Sequence, residues 1–165
     1  MSKERISPPI AADERSTLTS WLDYQRATLA MKCDGLSAEQ LRDRAVPPSA
    51  LSLLGLVRHL TQVEVGWFHD LPTGARVPPP YSTDADPDAD FTGVDGADPD
   101  EAFDRWRQAC VRSREIVVQA PDLYHRGVAG RHSLRWIMIH MIEEYARHNG
   151  HADLLRERID GSVGD

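Results

Sequence analysis

A chain of 165 residues has room for one domain with a sizeable core and none for a second large one. Its 19 Lys plus Arg against 26 Asp plus Glu give a formal charge of −7, which argues against nucleic acid and against an anionic membrane surface as partners. No segment approaches the roughly 18 apolar residues of a membrane span, and MSKERISPPI carries charges and a Pro pair where a signal peptide needs an apolar run, so the expected compartment is the cytoplasm and the expected partners are small molecules or proteins.

Residues 1–12 read as a flexible tail. Asp13 is a candidate N-cap for a first long helix in which Leu18, Leu22, Gln25, Leu29 and Lys32 or Cys33 recur at three- and four-residue steps, and Gly35 stops it. Ser37 to Gln40 has the form of a capping box and opens a short helix that ends before Pro47-Pro48. Ser49 or Ser52 starts a second long helix, with Leu56, Leu60, Val63 and Trp67 as its apolar stripe and His59 beside that stripe. Residues 72–97 are rich in Pro, Asp, Gly and Thr without apolar periodicity, the pattern of a long acidic crossover. Within it Asp84, Asp86, Asp88 and Asp90 alternate as calcium ligands would, but Ala89 stands where a calcium loop needs Gly and Asp95 where it needs Glu.

Asp98, Pro99 and Glu101 supply an N-cap, a Pro at the first helical position and an acid in the first turn of a third long helix. Phe103, Trp106, Cys110, Ser113 and Val117 mark its buried face, and it ends before Pro121. The fourth long helix begins near Ser133, is apolar on nearly every side through Trp136, Ile137, Met138, Ile139, Met141 and Ile142, and ends near Gly161; such a helix belongs at the centre of a bundle. Trp21, Trp67, Trp106 and Trp136 sit at helical positions and read as core, while Cys33 and Cys110, far apart and without a CxxC pair, read as reduced thiols. The expected fold is all-α: a four-helix bundle with one long acidic crossover, forming a single domain over residues 1–165.

The chemistry concentrates in HMIEEYARHNGHAD, which sets His140, Glu144, His148 and His151 at spacings of four, four and three, all on one stripe of a helix. Burying that many polar side chains costs free energy unless each finds a partner, and a metal ion partners imidazole and carboxylate together. His59 alone reads as an ordinary core or rim histidine; if the second and fourth long helices face each other it closes a site with Glu144 and His148, as metal sites in bundles do. His140, one turn above, and His151, one turn below, each remain alternatives to Glu144 as a ligand. His151 is also the candidate proton shuttle or hydrogen-bonded neighbour of a ligand, imidazole being the side chain whose charge changes near neutral pH. Glu143 and Arg147, four apart, read as an exposed ion pair.

From YQRATL through PPSALSLLGLVRHLTQVEVGWF to HMIEEYARHNGHADLLRERIDG, the sequence resembles the DinB-like superfamily of small metal-binding four-helix proteins, which includes bacterial low-molecular-weight thiol transferases. In that family one ligand comes from a His on the second long helix and two from the last, the final one followed by a small residue and Gly; His59 and His148 in HNG fit. Most members carry His four residues before that last ligand, where this chain has Glu144, and a Glu there is similar to mycothiol-dependent maleylpyruvate isomerase. That enzyme has a further C-terminal domain, whereas this chain stops soon after its last helix, so the resemblance implies the shorter mycothiol S-transferase type. Arg supplies nearly all the basic residues, with only Lys3 and Lys32 as lysines, a high-GC signature that agrees with mycothiol as the thiol. The implied function is a divalent-metal-dependent transferase, with zinc before nickel, manganese or iron, that activates the thiol for attack on an electrophile. The rival readings are a non-catalytic metal-binding or stress-linked bundle, which a homodimer would suit, and a thiol-dependent isomerase.

Overall fold

The computed structural model describes residues 5–128 and 130–164, and among these it contains six helices and no strand. α1 (Glu14–Cys33) starts where the Asp13 carboxylate accepts the Ser16 amide, and α2 (Ala38–Arg42) carries the full Ser37/Gln40 capping box. α3 (Leu53–Phe68) is capped by Ser52 rather than Ser49, α4 (Ala89–Thr92) is a single turn, and α5 (Pro99–Gln119) begins on Asp98 with Pro99 in its first turn. α6 (Leu134–Asp160) begins on Ser133 and is closed by Gly161 at φ 80°, a left-handed conformation that favours glycine. At every helix but α4 the N-cap oxygen takes an amide that the first turn leaves unpaired, which is why Ser and Asp in the sequence mark those starts so well.

α1 lies along α6, and α3 packs on both α5 and α6. Leu22 and Leu29 of α1, Leu56, Leu60 and Phe68 of α3, Trp106 and Val117 of α5, and Met138, Met141 and Tyr145 of α6 meet in one core. α6 departs from the expectation of a helix buried all round: Ile137, Met138 and Met141 are inside, but Trp136 and Ile139 are exposed at 44% and 52%. Of the four tryptophans expected in the core only Trp106 is fully buried, and Trp21 is exposed at 42%. The helix is wider in apolar residues than its contact with α1 and α3 can cover.

Of the expected tail, residues 1–4 lie outside the described residues, and Arg5 rests its guanidinium 4.7 Å from the Tyr24 ring centre. The crossover is less irregular than its composition implies, because α4 sits in it and Val94 is buried in the core. No helix among the described residues is long and apolar enough to cross a membrane.

The core also holds a polar knot that joins all four long helices. Arg26 of α1 grips Glu64 of α3 through two bonds of 2.8 Å, and Tyr145 of α6 donates to the same carboxylate at 2.8 Å while accepting from Trp106 Nε1 of α5 at 2.9 Å. Burial pushes the Glu64 carboxyl up, but the Arg26 charge outweighs it and holds the group below the usual carboxylate range. Cys33 and Cys110 are both free and buried.

Candidate metal centre

α3 and α6 face each other, and this brings His59 across to the Glu144–His148 pair. His59 Nε2 lies 3.0 Å from Glu144 Oε1, and His148 Nε2 lies 3.2 Å from the same oxygen. One donor atom from each of the three residues falls within 4.8 Å of the other two, in the only such group found among the described residues. Donors at the ~2.0–2.2 Å typical of zinc stand roughly 3.3–3.6 Å from one another around a tetrahedral centre, so this donor set suits a divalent ion with small side-chain adjustments. The three side chains keep 10–19% of their surface in contact with solvent, so the cluster is partly exposed.

The charges of the cluster are distributed unevenly. Burial would lower the His59 pKa, but hydrogen bonds to Asp90 and Glu144 outweigh it and raise it above the ordinary imidazole value. For His148, burial and the neighbouring charge of His59 together push it down to about 4, so this ring is neutral at pH 7 and its lone pair is available. Burial would raise the Glu144 pKa; the bond from His59, with the charge each ring carries when protonated, outweighs it and holds the carboxyl below its usual range.

The remaining candidates fall around the triad. His151 Nδ1 lies 3.3 Å from His148 Nδ1, on the nitrogen that does not face Glu144. His140 stands apart: its ring stacks on Trp136 at 5.1 Å and meets Trp67 edge-on at 4.6 Å, with Nδ1 3.5 Å from Glu143. His132 stacks on the other side of Trp136 at 4.2 Å, completing a ladder of rings at four-residue steps above the triad. Glu143 pairs with Arg147 on the exposed face.

Two residues next to the triad escape sequence reasoning. Asp90, nearly fully buried on α4, has Oδ2 at 2.8 Å from His59 Nδ1, and the Phe91 ring stacks on the His59 ring at 4.5 Å. The acidic crossover, read above as a connection, thus supplies one wall of the site; Asp84, Asp86 and Asp88 are exposed, and only Asp90 turns inward. The apolar pair Phe91 and Val94, flanking Gly93 in an otherwise polar stretch, is the signal that marks this part of the crossover as packed.

Fold and donor set together define an all-helical protein with a two-imidazole, one-carboxylate cluster of the kind that suits a divalent cation. The sequence model of the mycothiol-S-transferase family matches residues 17–161, and the chain belongs to that family. A comparison with curated proteins finds no match.

Proposed function

We propose that the protein is a metal-dependent mycothiol S-transferase acting in the cytoplasm, in which His59, Glu144 and His148 hold a divalent ion, zinc first among the candidates. α1, α3, α5 and α6 form its four-helix bundle, with the acidic crossover between α3 and α5, as a single domain over residues 1–165. The observation that carries this reading is the convergence of His59 with Glu144 and His148, 85 and 89 positions on in sequence, at a partly exposed point, in a chain of this family. When bound, a divalent ion stabilises a coordinating thiolate and so lowers the pKa of a thiol that would otherwise be mostly protonated at pH 7.

The chain's own groups prepare that chemistry. Glu144 brings one negative charge and the imidazoles none, so the donor set leaves a divalent cation partly uncompensated and attractive to an anionic sulfur. His148 has lost its proton well below neutrality, which spares it the competition between proton and cation. In this reading His151 accepts the His148 Nδ1–H, which keeps Nε2 turned toward Glu144, and it passes a proton between the site and solvent. The protein's own thiols take no part: burial pushes Cys110 and Cys33 up to about 12.

The test is thioether formation between mycothiol and a reactive electrophile such as a bimane or an epoxide. Zinc-loaded protein accelerates it, chelator removes the acceleration, and His148→Ala abolishes it because two donors hold the ion weakly. An equal rate with and without metal, for several thiols, would leave only a binding or structural role.

A further inference from the structure

We propose that Asp90, carried by the crossover, is the positioning residue of His59: it holds the ring with Nδ1 protonated and the Nε2 lone pair aimed at the triad, which makes the turn at 89–93 a working part of the metal centre. The inference rests on the reading of His59, Glu144 and His148 as ligands.

The carboxylate is placed for this task. Its side chain is 3% exposed, a costly position for a charge unless each oxygen is used. Oδ1 accepts the Phe91 amide at 3.0 Å, which fixes the plane of the group, and Oδ2 is left for His59 Nδ1 at 2.8 Å. A carboxylate oxygen accepts, so Nδ1, facing Asp90, carries a proton. Nε2 faces the Glu144 carboxylate at 3.0 Å and without metal donates to it in the same way; a cation would displace that Nε2 proton, while the shorter bond to Asp90 keeps the one on Nδ1. Phe91, stacked on the face of the same ring, blocks rotation about the remaining axis.

Asp90 is not needed to fasten the crossover to α3. Arg58, one residue before His59, already binds the α4 carbonyls of Ala89 and Asp90 at 2.7 and 2.9 Å and lies 4.0 Å over the Tyr81 ring. Gln62, one turn further along α3, exchanges two hydrogen bonds with Ser82, of 2.7 and 2.9 Å, and Val94 is buried. Gly93 permits this closeness, since a Cβ there would stand 2.8 Å from the Ala89 carbonyl and 3.0 Å from Arg58 Nη2. With the turn clamped by contacts that do not touch the ring, the bond from His59 to Asp90 serves the ring. Carboxylates behind metal-bound histidines fix the tautomer and raise ligand basicity, and losing one typically weakens metal binding about 10–100-fold.

Two measurements test this. Calorimetric zinc titration of the full chain should find Asp90→Asn weaker by about 10–100-fold, because the amide keeps the shape and loses the charge, while Gln62→Ala, which loosens the crossover without touching His59, leaves the affinity unchanged. Equal weakening by both variants, or none by Asp90→Asn, would overturn the proposal and make Asp90 a strap. Nitrogen-15 NMR of the imidazoles in metal-free wild type, at a pH where His59 is neutral, should place its proton on Nδ1; a proton on Nε2 would overturn the proposal. A wild type that takes up no zinc refutes the metal reading alone, and the imidazole spectrum still decides the role of Asp90.

Discussion

Replacing Glu64 by Leu removes the centre of the polar knot in the core, and the expected cost is about 3–5 kcal/mol, the range for breaking one side of a buried ion pair. The size follows from what is left behind. Arg26, 4% exposed, would keep only its bond to Asp23, of 2.9 Å, in place of two bonds of 2.8 Å to Glu64. The Tyr145 hydroxyl would lose its acceptor while still receiving the Trp106 N–H, and a buried group stripped of its partner accounts for about 1–3 kcal/mol by itself. Adding Arg26→Met to Glu64→Leu takes away the stranded cation, and since apolar replacements of a whole buried pair are often neutral or better, the double variant should be more stable than Glu64→Leu alone. The assay is urea unfolding with chelator present, comparing midpoints at constant slope for wild type, both single variants and the pair. A loss below about 1 kcal/mol for Glu64→Leu, as for an exposed pair, or a double variant that costs the sum of the singles, would refute the reasoning.

Glu144→Gln keeps the shape of the third donor and removes its charge, so zinc affinity should fall by more than the roughly 10–100-fold typical of losing a ligand's neighbour, with far-UV circular dichroism unchanged; a matching loss of helicity would make the ion structural. The raised pKa of His59 means that zinc must displace a proton from it up to a higher pH than from an ordinary imidazole, so apparent affinity should climb about tenfold per pH unit on the way up to that pKa and level off beyond it. If His148 alone set the dependence, its pKa of about 4 would make the affinity flat from pH 6 upward, and a titration series in non-chelating buffers separates the two. Neither Cys33 nor Cys110 should react with iodoacetamide in the folded protein at pH 8, as mass spectrometry before and after unfolding will record.

The parts of the molecule written locally in the sequence were legible there. Asp13, Ser37, Asp98 and Ser133 cap helices because their oxygens bind amides two or three residues on, a relation contained within one turn. The pairing of Glu144 with His148 was legible for the same reason, being one helical turn. What stayed hidden depends on where distant pieces meet. Arg26 and Glu64 each interrupt an apolar stripe with a single charge, and only their approach across 38 positions turns two flaws into one contact. Asp90 looks like its exposed neighbours Asp86 and Asp88, since the single turn of α4, which has no side-chain cap, leaves no periodic mark on the sequence. The breadth of the apolar surface on α6 misled in the other direction: a run of hydrophobic residues gives the supply of apolar side chains, while the number of neighbouring helices sets the demand, and Trp136 and Ile139 are the excess.

Between Leu71 and the clamped turn that carries Asp90, the crossover exposes residues 75–79 to solvent, a natural place for a protease to cut. A single cut there leaves two pieces, one with α1 to α3 and His59, the other with α4 to α6, Asp90, Glu144 and His148. No piece alone then owns the three donors or the Asp90–His59 bond, so the cluster would exist only as long as the halves remain docked. Metal uptake by the nicked protein therefore becomes concentration-dependent once the halves separate, and the cluster reports on the reassembly of its own scaffold.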